Sequence, residues 1–162
     1  TQTSEILTPR TVGHMLDETT TVSEALGLEA TRQFTRLPIF RDSNDNVTGM
    51  VMRVGLFEAE REGGASDAIA GYAQPVVRVP EEMPVYRLLD RFIREQAHLA
   101  VVEDEFGQTA GIVTLEDAIE TLLGREIVDE SDAVADMQAL ARDKHRERLD
   151  SVEAQREGDG AH

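Results

Sequence analysis

The residues Gly111-Ile112-Val113-Thr114-Leu115-Glu116-Asp117 place a hydroxyl and a carboxylate three positions apart, where an apolar strand pattern gives way to a helical one over 115–123. At such a junction the Thr114 hydroxyl can accept from the Asp117 amide, a cap that stabilises a helix by about 1 kcal/mol. The same groups can serve a ligand. Free amides and the positive end of a helix favour a phosphate, which Thr114 can help to hold, while the Asp117 carboxylate can accept from ribose hydroxyls. Glu116 sits between them as a helix-surface acid that could face an ion.

These residues belong to the second of two imperfect copies of one unit. In the first copy Thr21-Val22-Ser23-Glu24-Ala25-Leu26 opens a helix, Leu37-Pro38-Ile39-Phe40 reads as a strand, Asn44-Asp45-Asn46 as a turn and Gly49-Met50-Val51-Met52 as a second strand. In the second copy Met83 to Leu89 opens the helix, Leu99 to Val102 is the strand, Asp104 to Gly107 the turn and Gly111 to Val113 the next strand. Val22 to Val85 is 63 residues and Gly49 to Gly111 is 62, so the offset holds within one residue. At the 62-residue offset His98 aligns with Arg36, Met52 stands where Thr114 does, and Gly55 stands where Asp117 does. Capping alone would be needed by both helices. The asymmetry points to one site that kept a ligand and one that lost it, so the first site is expected to be empty or weakly occupied.

The fold expected is therefore α/β (α+β), with each repeat built as strand, helix, strand, tight hairpin, strand, helix. A unit of about 60 residues buries too little surface to be comfortable alone, so the repeats are expected to pack face to face about a pseudo-two-fold axis. Glu58 to Gly71 reads as the connection between them. The domains are then 1–71, 72–130 and a C-terminal segment 131–162, in which 132–152 has one apolar helical face, Gly124 caps the preceding helix, and 153–162 is frayed.

Composition narrows the function. The chain of 162 residues has no Cys, which removes disulfides, thiolate catalysis and Cys-based metal sites. Its histidines are His14, His98, His145 and His162; the acid run Glu103-Asp104-Glu105 falls in a hairpin turn, and no Walker loop, GxGxxG or HExxH occurs. No nucleophile, base and orienter are visible, so an enzyme is not expected. Asp and Glu number 32 against 16 Lys and Arg, a net charge of -16 that repels nucleic acid. The apolar runs are far short of the roughly 20 residues of a membrane helix, and no signal segment opens the chain.

The stretch GIVTLEDAIE, preceded by LAVVEDEFGQTA, resembles the signature of the second CBS domain of CorC/CNNM magnesium transporters; FTRLPIF resembles the matching strand of the first, and TPRTV the segment that follows their transmembrane domain. The likeness runs over residues 8–130. It implies a tandem CBS pair, or Bateman module, that forms a homodimer and holds an adenine nucleotide between its repeats, as the cytoplasmic regulatory domain of a cell-membrane protein whose transport domain precedes it. By position it implies that Thr114 and Asp117 bind ribose and phosphate, that Thr35 and Arg36 reach the phosphates, and that Leu37, Pro38 and the Thr8 to Val12 segment, Thr11 included, flank the adenine. The fixed fork of Arg36 suits a polyphosphate in its own right. ATP would carry Mg2+ on its phosphates, since this ion keeps waters and takes few carboxylates, and no protein metal cage is expected. A CBS pair serving another host, or a purely structural dimerisation module, would fit the same sequence.

Overall fold

Thr21 starts the first helix by accepting the Glu24 amide at 3.2 Å, and this helix, α1 (Val22–Leu26), buries Val22 and Ala25 before Gly27 ends it. A second short helix, α2 (Glu29–Gln33), leads into β3 (Arg36–Phe40), which turns back through a hairpin into β4 (Val47–Met52) and then α3 (Arg53–Arg61). With β2 (Leu16–Asp17) these strands make a three-stranded sheet in the order β2-β3-β4. The second repeat runs β5 (Val77–Pro80), α4 (Val85–Glu95), β6 (Leu99–Glu103) and β7 (Thr109–Thr114), followed by α5, helical over 115–124. The N-terminal β1 (Thr8–Pro9) joins this second sheet, whose order is β1-β7-β6-β5. The structure, a computed structural model, describes residues 1–124; the terminal helix and tail expected over 131–162 lie outside the described residues. Thr1–Ala118 form one compact unit and a second begins at Ile119.

The alternation of each strand divides its side chains between two faces. Leu37, Ile39 and Val51 point to the helices of the first repeat, where they pack with Leu16, Val22, Leu56 and Ile69. Leu99, Val101 and Ile112 point the other way, into a cluster that also takes Val47 from the first repeat. The two sheets thus meet through their second faces, as the size of each repeat requires.

Strand register refines the internal alignment. Arg36 pairs with Met52 and Leu37 with Val51, whereas Leu99 pairs with Thr114 and Ala100 with Val113. Each hairpin has its irregularity at the same place, between Ile39 and Phe40 and between Val102 and Glu103, but Phe40 closes on Val47 and Glu103 on Thr109, so the second loop is one residue shorter. That deletion explains why the offset is 63 before the turn and 62 after it. His98 is therefore equivalent to Thr35, not to Arg36 as the uniform 62-residue alignment had it. A slip of one residue would also swap the two faces.

The connection expected over Glu58 to Gly71 is mostly part of the first repeat. Helix α3 continues through Arg61; the Gly64 amide then donates to Ala59 O at 2.7 Å, the Ile69 amide donates to Thr20 O at 2.8 Å, and Ile69 is fully buried in the first core. Polarity and glycine marked this stretch as a linker, yet its backbone groups are consumed by α1 and α3.

Backbone and arginine bonds join the repeats near their pseudo-two-fold relation. Val47 and Thr109, equivalent residues, touch directly: the Val47 amide donates to Thr109 Oγ1 at 3.3 Å, and the Thr109 amide to Asp45 O at 2.8 Å. The Val47 carbonyl accepts from Arg78 Nη2, and the Thr109 carbonyl from Arg10 Nη1 at 2.7 Å. The N-terminal segment is stitched to the second repeat, with the Thr3 amide donating to Met83 O and the Val85 amide to Thr1 O. Elsewhere Glu18 accepts from Arg41 Nε at 2.7 Å and from the Thr48 hydroxyl at 3.0 Å; the bond from Arg41 holds this carboxyl below its usual range.

Gly111 is required by the passage of β1: a Cβ there would lie 2.2 Å from Thr8 O and 2.7 Å from Leu7 Cδ1. A Gly111→Ala substitution should lower stability by about 1–3 kcal/mol in urea denaturation, while Gly55→Ala, in an open helical position, should raise it by roughly 0.5–1 kcal/mol. Because the carboxyl of Glu18 is shifted down, its contribution is present above the ordinary carboxylate range and lost as pH falls through the lowered value. Glu18→Gln should therefore lose melting temperature less steeply on acidification than the wild-type chain.

Candidate functional site

Strand β7 delivers Thr114 to the start of α5 with its side chain on the inter-sheet side, beside that of Leu99. There the expected cap forms in both directions. The Asp117 amide donates to Thr114 Oγ1 at 3.2 Å, and the Thr114 amide donates to Asp117 Oδ2 at 3.4 Å. The next amide, of Leu115, donates to His98 O at 2.9 Å. Among the described hydrogen bonds the Glu116 amide alone of the first three helical amides has no acceptor, and amides in this position point out along the helix axis. Thr114 and Asp117 are half-buried and Glu116 is exposed. The junction thus combines a hydroxyl, a carboxylate and a helix N-terminus with a spare donor, and the local cap accounts for the Thr-x-x-Asp spacing on its own.

The equivalent junction of the first repeat lacks this equipment. Met52 caps α3 without a side-chain bond, and Gly55 has no side chain to return one. What survives is the backbone link: the Arg53 amide donates to Thr35 O at 2.9 Å, as Leu115 does to His98. Arg53 also ties α3 to the end of α2 through Nη1, 2.9 Å from Arg32 O. The asymmetry read from the repeats is therefore a difference of side chains on one shared backbone arrangement.

The other residues expected at the site separate by strand face. Arg36 is half-buried on the inter-sheet side, in register with Met52, and none of the hydrogen bonds or ion pairs among the described residues involves its guanidinium. Pro38 is buried on the same side, in register with Met50. Leu37 faces the opposite way and is fully buried in the core of the first repeat, so only its backbone can meet a ligand. Thr35 is exposed, with its carbonyl committed to α3. Thr11 is exposed in the turn after β1, where the Val12 and Gly13 amides both donate to Pro9 O. Close by in sequence, the His14 ring lies 4.8 Å from that of Phe34, the residue before Thr35. Leu99 and Val76 pack in the inter-sheet cluster, a placement the sequence did not show. Leu99 to Val102 is an unbroken apolar run, so no alternation in sequence reveals which of its residues face the cleft. Among the described residues no group of His, Asp and Glu is placed to hold a metal ion, and no helix is long and apolar enough to cross a membrane.

The sequence profile of the CBS domain matches this chain twice, over residues 4–62 and 69–124. Among solved structures, the CBS domain of the bacterial CNNM/CorC family Mg2+ transporter in complex with ATP superposes with a TM-score of 0.71 at 35% identity, covering 76% of this chain and 88% of that one. Among curated relatives, UPF0053 protein sll1254 of Synechocystis is 38% identical over 88% of this chain and 41% of its own length. UPF0053 protein YugS of Bacillus subtilis is 34% identical over 90% of this chain and 34% of its own length. The chain thus spans well under half the length of these relatives.

Thr114→Val keeps the shape of the side chain and removes the acceptor. In the ligand-free protein it should cost about 1 kcal/mol in urea denaturation, whereas Met52→Val, where no side-chain cap exists, should not produce a loss of this kind.

Proposed function

Because this chain belongs to the CBS-domain family, as a tandem pair of the CNNM/CorC kind, we propose that it is a regulatory module that binds one adenine nucleotide, Mg-ATP, between its repeats. The observation that carries the reading is the division of ligand groups: an unpartnered, half-buried guanidinium, Arg36, on the inter-sheet face of one repeat, and a hydroxyl–carboxylate pair at a helix N-terminus, Thr114 and Asp117, on the other. A buried or half-buried charge without a partner is costly, and a polyphosphate is the partner whose geometry suits a guanidinium fork. Thr114 and the free Glu116 amide would take a phosphate, Asp117 the ribose hydroxyls, and Thr35 would assist Arg36. Pro38 and the backbone of Leu37, with the Thr11 turn, would flank the base.

The ATP bound by the 35% identical neighbour supports this ligand class. Magnesium would arrive on the phosphates and offset their charge inside a protein of net charge -16, and exposed Glu116 could face it. In this reading nothing is turned over. The nucleotide fixes the relative arrangement of two repeats, and a homodimer of the module transmits that arrangement to an N-terminal transmembrane transport domain, which places the module on the cytoplasmic side of a cell membrane. Such coupling requires that the ligand bind one arrangement better than the other.

Calorimetric and thermal-shift titration with ATP, with and without MgCl2, tests the reading. At ligand concentrations near 100 Kd, binding should stabilise the chain by about 2.7 kcal/mol. Thr114→Ile should abolish the response, and Arg36→Gln should weaken ATP at least tenfold while leaving adenosine little changed. No heat and no rise in melting temperature in the wild-type chain would leave a structural dimerisation module as the better description.

A further inference from the structure

Strand β5 forms the outer edge of the second sheet, and along it lies a cleft of about 570 Å3 lined by Pro75, Val76, Val77, Arg78, Arg91 and Glu95. A smaller cleft of about 350 Å3 adjoins it through Arg91 and brings in Arg87 and Arg94. None of the residues assigned to the nucleotide lines either one. Thr114, on β7, is two strand spacings from β5, or roughly 10 Å across the sheet. We infer that this arginine-lined edge is a second anion site, which takes a small phosphate-bearing molecule.

Charge distribution is the first argument. Residues 1–124 carry 21 Asp and Glu against ten Arg and no Lys, yet four of those arginines gather around these two clefts on α4 and β5. On a surface otherwise negative, such a cluster makes a local well for an anion. Among the described residues its only acidic lining comes from Asp90 and Glu95.

The second argument is how the guanidinium groups are held. Glu95 Oε2 meets Arg91 at Nε, 3.0 Å away, and Asp90 Oδ2 meets Arg94 at Nε, also at 3.0 Å. Both carboxylates take the inner nitrogen, so the outer Nη groups stay available and the planar forks are oriented in advance. Arg78 is held through Nη2 by the Val47 carbonyl of the first repeat. Lysine, a mobile point charge, would not be positioned by such contacts.

Pro75, Val76 and Val77 give the same cleft an apolar wall, so the occupant pairs phosphate with a carbon skeleton. Its position gives binding a consequence. Val76 packs in the inter-sheet cluster and Arg78 bonds the first repeat, so a ligand gripping this edge acts on the joint between the repeats without touching Thr114.

The test titrates the nucleotide-free chain with inorganic pyrophosphate by calorimetry at low ionic strength, where exposed charges are least screened. The chain should show a saturable site that survives Thr114→Ile and is weakened about tenfold by Arg91→Gln and measurably by Arg91→Lys. Arg91→Gln should keep its ATP-induced rise in melting temperature, which separates this site from the nucleotide reading. Parallel flotation with vesicles containing phosphatidic acid distinguishes a lipid-borne phosphate from a free one: capture of wild type but not of Arg91→Gln assigns the site to a headgroup. If wild type binds neither probe, or Arg91→Gln and Arg78→Gln bind both as the wild type does, the inference is overturned.

Discussion

The contact on which the rest of this molecule depends is the joint between the two sheets, where Val47 and Thr109 meet. Neither repeat has enough interior to stand comfortably alone, and the apolar second faces of both sheets must be covered. The covering is supplied by Val47, Leu99, Val101 and Ile112, while the polar backbone at the same place is satisfied by the Thr109 hydroxyl and by the guanidinium groups of Arg10 and Arg78. Apolar burial supplies the driving force and is non-directional. The hydrogen bonds are directional, and they set how the sheets are aligned.

From this joint follows the character of the site. Two sheets that face each other present alternate strand residues to one another, so which side chains lie between them is decided by strand parity. In the first repeat that face carries Arg36, Pro38, Met50 and Met52; in the second it carries Leu99, Val101, Ile112 and Thr114. Charge and hydroxyl therefore come from different repeats, which is the arrangement the proposed bridging polyphosphate would need. The same backbone link, from the first helical amide to a carbonyl before the strand, occurs at both helix starts, so the difference between the two junctions rests on side chains alone.

The cap at Thr114 has a double use. Without a ligand, Thr114 and Asp117 satisfy each other and stabilise α5, which keeps their side chains in place. In the proposed reading a ligand would exchange part of that local bonding for its own, so binding would start from an ordered site at the expense of some capping energy. In that reading the net charge of -16 would favour a nucleotide that carries magnesium, because a bare triphosphate would meet an acidic surface.

Much of this was legible in the chain itself. Repetition, hairpin turns and the strand-to-helix motif were visible because they are local: Thr21 and Thr114 cap the helices they precede, and apolar residues recur at helical or strand spacing. Thr114 and Asp117 were singled out by type and spacing, and Arg36 by the resemblance and by the fit of its guanidinium to a polyphosphate. Facing was not legible. Leu37 and Arg36 are neighbours in sequence but lie on opposite faces, and the equivalence of His98 with Thr35 depends on one residue missing from a hairpin, which only strand pairing registers. Nor could polarity show that residues 62–72 belong to the first repeat, since their backbone bonds go to partners as distant as Thr20 and Val22. The amino-acid sequence by itself determined which elements form and which chemical groups they carry, because propensity, capping and periodicity act over a few residues. Only the tertiary structure decided which of those groups face the opposite sheet, because that depends on register and on contacts between residues 60 or more apart in the chain.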